Sequence, residues 1–215
     1  MDNGTIFTSK MLDGLVELYN KNPVQSLALA INEGAADGVH GFEEYLQEFF
    51  TNKNDLVKAT IEIYGEFICF YTSLMFRHLD AELGEEQGAE AMHKIAVPIL
   101  KTAAKKITKY GSKIDEKEAE TNLYKKLNAA EEAYVRTTSF AGKDAYDETS
   151  TVFQFKKRIF VIFGGDTDMM KHLKVDVAVS KSYISFMTMF KFNEWVKGPI
   201  AQLGYKGYDS VRLFE

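Results

Sequence analysis

NDLVKATIEIYGEFICFYTSLMFRHLDAEL, residues 54–83, holds no proline and turns almost solidly apolar in its second half. It reads as a long buried helix. Asn54 is placed to cap the first free backbone N–H groups, Asp55 favours the positive end of the helix dipole, and Gly84 supplies a stop. Between Leu56 and Glu66 the polar residues Lys58, Glu62 and Glu66 recur every fourth position on one face. From Phe67 to Phe76 only Thr72 and Ser73 interrupt the apolar surface. A helix apolar on every side is stable in water only at the centre of a packed core, so other elements must wrap that half.

Bulk composition agrees with a globular chain. The 215 residues are 46% hydrophobic and 27% charged, enough for one large domain or two small ones. The apolar run is far shorter than the roughly 20 residues that cross a bilayer, and Glu62, Glu66, Arg77 and Asp80 bracket it. A soluble protein without membrane association is expected. The first residues, MDNGTIFTSK, show no basic segment followed by an apolar stretch, so no signal peptide is expected and the predicted location is cytoplasmic. The single cysteine, Cys69, lies in the most apolar helix and reads as a small hydrophobe. A net charge of −5 and a pI near 5.5 oppose general nucleic-acid affinity. Lys101, Lys105, Lys106, Lys109 and Lys113 follow an acidic start with Glu85, Glu86 and Glu90. That order complements a helix dipole and reads as a solvated face.

Outward from the central helix, apolar spacing predicts a helix over 8–20, ended by Asn22-Pro23, and another over 24–33. A loop is expected at 34–41, where Gly34, Gly38 and Gly41 offer unusual backbone angles. Further helices are expected over 42–51, 55–83, 85–110 and 115–140, with Pro98 bending or breaking the fifth near Ala96 and Val97. The short connections at Gly84 and at 111–114 favour an up-down-up arrangement of the last three.

The pattern changes after Gly142. Val, Ile, Phe and Thr dominate 149–163, and Leu173, Val175, Val177 and Val179 alternate with polar or small residues, which predicts strands. Residues 183–195 fit either a helix or a strand, and 208–214 read as a final strand. The expected fold is therefore mainly α, with helices to about residue 145 and a smaller α+β part, 146–215, sharing one core. On this reading Val177 faces the interior.

Candidate chemistry is sparse. Glu90 and His93 form a Glu-x-x-His pair on one helical face, half of a carboxylate-bridged two-metal site, with Glu62, Glu66, Glu131 and Glu132 as further carboxylates. A second Glu-x-x-His is missing, for Met169 stands where His172 needs a glutamate. Phe163-Gly-Gly-Asp-Thr-Asp168 joins an apolar run to paired acids, Asp166 and Asp168, the ligand type of magnesium sites, but reads more simply as a turn with Asp166 or Thr167 as helix cap. Neither His40 nor His78 finds a partner from sequence alone. Phe186, Phe190, Phe192, Trp195, Tyr205 and Tyr208 lack the interleaved basic residues of a base-stacking surface and read as core or interface.

Abundant Phe, Tyr and Met without a complete catalytic constellation point to a non-catalytic binding or structural protein. A small apolar ligand, a protein partner and assembly into a homo-oligomer are the expected occupants of its surfaces. The alternative is a metal-dependent enzyme built on Glu90 and His93. Catalytic residues and cofactor are not identified by the sequence.

Overall fold

The computed structural model describes residues 9–111, 113–140, 147–165 and 169–206. Ten helical segments follow one another among them: α1 (Ser9–Lys21), α2 (Pro23–His40), α3 (Glu43–Phe49), α4 (Lys53–Leu83), α5 (Glu85–Lys109), α6 (Glu116–Tyr134), α7 (Thr151–Ile162), α8 (Met169–Met189), α9 (Phe192–Trp195) and α10 (Lys197–Gln202).

Local chemistry sets their boundaries. Asn22 accepts from the Gln25 N–H at 3.1 Å and Pro23 opens α2, where its missing donor costs nothing. Asn52, rather than Asn54, caps α4, accepting from the Asn54 N–H at 2.8 Å. Asp115 and Ser150 cap α6 and α7 in the same manner, at 2.8 and 3.1 Å. Gly84, with φ of +75°, turns the chain between α4 and α5 in a conformation that disfavours any side chain.

α4 is the central element. Every residue from Ile63 to Phe76 is buried, as an all-apolar helix requires, and α2, α5, α6 and α7 pack around it. Contacts fix the directions of its neighbours. Asp80 lies against Gly88 and Tyr64 against Tyr110, so α5 runs antiparallel to α4. Gly65 meets Leu123 and Lys126, Ser73 meets Glu131, and Arg77 meets the Tyr134 carbonyl, so α6 runs parallel to it. The three helices thus go up, down and up. One hydrophobic cluster reaches from Leu15 in α1 to Ile200 in α10.

The expected strands are absent from the described residues. Residues 151–162 form α7, because Val152, Phe155 and Ile159 fall at helical spacing on its buried side and Ser150 caps its start. The alternating stretch 173–180 lies inside α8. There Val175, Ala178, Val179, Ser182 and Phe186 make the buried stripe, while Leu173 and Val177 point outward, Val177 at 50% exposure. β-branched content favours strands only weakly, and helical burial over a longer window overrides it. The placement of Val177 in the interior is therefore incorrect. Residues 183–189 continue α8, and 192–195 form the short α9. The expected strand over 208–214 lies outside the described residues.

Two further expectations change. The glycine segment 34–41 is helix up to His40, not loop. Its glycines serve close packing: a Cβ at Gly38 would stand 2.8 Å from the Phe67 ring, and one at Gly34 would overlap Phe186. Pro98 lies within a helix that continues unbroken from Glu85 to Lys109. α6, in turn, ends at Tyr134, short of the expected 140.

Candidate functional site

A cleft of about 370 Å³ opens where the C-terminal turn of α2, the short α3 and the first turns of α4 meet the end of α5. Ala36, Val39, Leu46 and Leu56 form its apolar wall. Val39 and Leu46 also belong to the core, which makes that wall rigid. The rest of the lining is polar: His40, Glu43 and Gln47 are exposed, and Thr60 and Tyr110 half-buried.

The α2–α3 junction sets this geometry. Gly41 and Phe42 turn the chain, and Phe42 is fully buried, pinning the corner against the Phe67 and Phe163 rings at 6.2 and 6.0 Å. That corner brings the last residue of α2 beside the first of α3. His40 Nδ1 donates to Glu43 Oε1 at 2.8 Å, which fixes the imidazole orientation. Both side chains remain about half exposed. Thr60 Oγ1 is occupied within α4, donating to the Leu56 carbonyl at 2.8 Å.

Tyr110 closes the cleft from the α5 side. Burial raises its hydroxyl pKa above the usual value, and the carboxylates of Glu33 and Glu43 raise it further. The Tyr110 ring meets Tyr64 edge-on at 5.9 Å. Behind it, Tyr64 donates to Asn32 Oδ1 at 2.5 Å, and Asn32 Nδ2 donates to the carbonyls of Ala28 and Ile99 at 2.7 and 3.2 Å. This buried relay ties α2, α4 and α5 together behind the cleft. Glu33 is held by Lys106 at 2.9 Å.

The residues singled out by sequence fall elsewhere. Glu90 pairs with Lys94 at 2.7 Å on the exposed side of α5, and His93 is also exposed. Glu66 lies on the far side of α4, its side chain 5% exposed, between two cations: Arg158 Nε at 2.6 Å and Lys126 Nζ at 2.8 Å. Lys126 reaches Glu62 as well, at 2.7 Å. Burial alone lowers the Lys126 and Arg158 pKa values, but the facing carboxylates outweigh it and both lie above their ordinary values. A carboxylate so saturated has little capacity left for a metal. Glu131 bonds Ser73, and Glu132 is exposed. Among the described residues no group of three or more His, Cys, Asp or Glu side chains is placed to hold a metal ion. Asp166, Thr167 and Asp168 lie outside the described residues, as does the side chain of His172.

Cys69 is fully buried, and burial pushes its thiol pKa far up, with Glu66 adding to the effect. It matches the expected inert hydrophobe. Of the lysine row, Lys101, Lys105, Lys109 and Lys113 are exposed, whereas Lys106 serves Glu33. Phe186 and Phe190 are core residues, Phe186 stacking on Tyr71 at 4.1 Å. No helix is long and apolar enough to cross a membrane among the described residues.

Sequence reasoning missed the cleft. Its only signal was the His40–Glu43 spacing of three, hidden because His40 reads as part of a glycine loop and Glu43 as part of the next helix, when the two flank a tight turn between helices. No protein-family model matches the chain, and comparison with curated proteins and with solved structures finds no match.

Proposed function

We propose that this chain is a non-catalytic binding protein that takes a small, largely apolar ligand into the α2–α3–α4 cleft. The observation that supports this reading is the mixed lining of the cleft, in which Ala36, Val39, Leu46 and Leu56, two of them core residues, stand with the exposed polar residues His40, Glu43 and Gln47. Such a lining orients a ligand with one apolar and one polar end. The volume is at the small end of ligand sites, which suits a compact molecule. A binding role is favoured over a catalytic one because His40 and Glu43 pair with each other, Thr60 Oγ1 is engaged by the Leu56 carbonyl, and the lining includes no serine, cysteine or lysine.

Native mass spectrometry of the purified chain tests the reading. The expected spectrum carries a retained or added small molecule that is lost in Ala36→Phe, which fills the cleft. A bare chain that takes up none of a series of apolar fragments would overturn it.

A second reading, self-association, is favoured by α8. Leu173, Val177 and Ile184 are each about half exposed and fall on one line of that helix, a stripe that a second copy would cover. Sedimentation velocity should then show a dimer that Val177→Lys dissociates. A monomer at all concentrations would remove this reading.

A further inference from the structure

We infer that the cleft selects a ligand carrying a protonated amine on a compact apolar body; this rests on the binding role proposed above and names the class of molecule bound. The lining of the cleft sets the charge that a ligand meets. Glu43 is its one carboxylate, and it includes neither lysine nor arginine. His40 holds one oxygen of Glu43 through Nδ1, which leaves the second oxygen as an acceptor at the opening. An ammonium group satisfies that acceptor with charge assistance, whereas a ligand carboxylate would meet it as a like charge.

The surroundings reinforce the sign. Burial first, and then the carboxylates of Glu33 and Glu43, disfavour ionisation of the Tyr110 hydroxyl, so it stays a neutral donor beside a bound cation. Lys106 is engaged by Glu33 and lies outside the lining. Tyr110 adds an aromatic ring and a hydroxyl beside the carboxylate. A carboxylate, a tyrosine and an adjoining apolar wall form the recognised set for small alkylammonium groups, the ring quadrupole adding to the ionic attraction. Gln47, also in the lining, adds a neutral amide and no positive charge. The apolar wall meanwhile demands a body of branched or cyclic hydrocarbon rather than a polyamine, since four apolar side chains would otherwise stay wet.

Calorimetric titration of the full chain with cyclohexylamine, cyclohexanol and cyclohexanecarboxylate, three probes with one apolar body, tests the inference. The amine should bind about tenfold or more tighter than the carboxylate, with the alcohol between them. Glu43→Gln, an exposed and nearly isosteric change, should weaken the amine most and bring it down to about the level of the alcohol. Gln47→Lys should reverse the order in favour of the carboxylate, and it provides an independent check should Glu43→Gln disturb the turn. Equal binding of all three probes, or tightest binding of the carboxylate, would overturn the amine preference while leaving the cleft a binding site. Binding of none would overturn both the preference and the proposed function.

Discussion

Replacing Glu66 by alanine should destabilise the protein more than any surface change, because this carboxylate neutralises two cations delivered by other helices. Its side chain is 5% exposed, while Lys126 on α6 and Arg158 on α7 are each about a fifth exposed. Removal leaves Arg158 without its two bonds, at 2.6 and 3.1 Å, though Lys126 keeps Glu62. Breaking a buried pair by deleting one partner costs about 3–5 kcal/mol, and the retained Lys126–Glu62 pair places Glu66→Ala at about 3 kcal/mol. For a chain of this length that shifts Tm downward by about 6–12 °C. The loss should persist in high salt, since buried pairs are screened little. The double variant Glu66→Met, Arg158→Met should recover most of the loss, because apolar residues of similar volume replace buried ion pairs at little cost. Urea titrations of all three proteins provide the assay. A Glu66→Ala loss below about 0.5 kcal/mol, the level of surface substitutions, would refute the view that this network clamps α6 and α7 onto α4.

Three further outcomes follow from the packing. Gly38→Ala should cost about 1–3 kcal/mol by overpacking against Phe67, whereas Gly14→Ala, within α1 and with nothing within 4 Å of the added methyl, should stabilise by about 0.5–1 kcal/mol; thermal melts compare them. Val179→Asp should destabilise severely while Val177→Asp changes little, since only the first is buried; a reversed order in urea titrations would restore the strand. Alkaline pH should unfold the protein. Burial raises the pKa values of Tyr64, Tyr71, Tyr134 and Cys69 in the folded state, so their contribution is intact below the unfolded values and is lost as pH rises above them. The loss begins where these groups ionise in the unfolded chain, at about pH 8.5 for cysteine and about pH 10 for tyrosine, and grows as pH rises further. Circular dichroism should show helicity collapsing at alkaline pH, with part of the phenolate absorbance of the eleven tyrosines appearing only with that collapse; complete phenolate formation with helicity intact would contradict the burial.

The helical half of the fold was legible because its signals are local and redundant. The solid apolar run 67–76, the glycine stop at 84 and the acid-to-base order of α5 each point to one structure, and the structure follows them. The tail misled because two periods coexist in it. Leu173, Val175, Val177 and Val179 alternate, yet Val175, Val179, Ser182 and Phe186 also repeat at helical spacing, and packing on α2 and α7 chose the latter. Gly34 and Gly38 misled differently: sequence reports a missing side chain but not whether the need is for a backbone angle or for space beside Phe186 and Phe67. The cleft was the least legible feature. It is assembled from three separate stretches, and its polar residues His40, Glu43 and Gln47 at the α2–α3 corner are far in sequence from Thr60 in α4 and Tyr110 at the end of α5.

The central claim is that small molecules enter the cleft between α2, α3 and α4, and methyl NMR of the full chain during addition of a cyclohexyl-bodied probe tests it most directly. The account predicts saturable shifts concentrated at the methyl groups of Ala36, Val39, Leu46 and Leu56, and their loss in Ala36→Phe. Shifts centred instead on Leu173, Val177 and Ile184 of α8, or no saturable shift at any methyl, would contradict it.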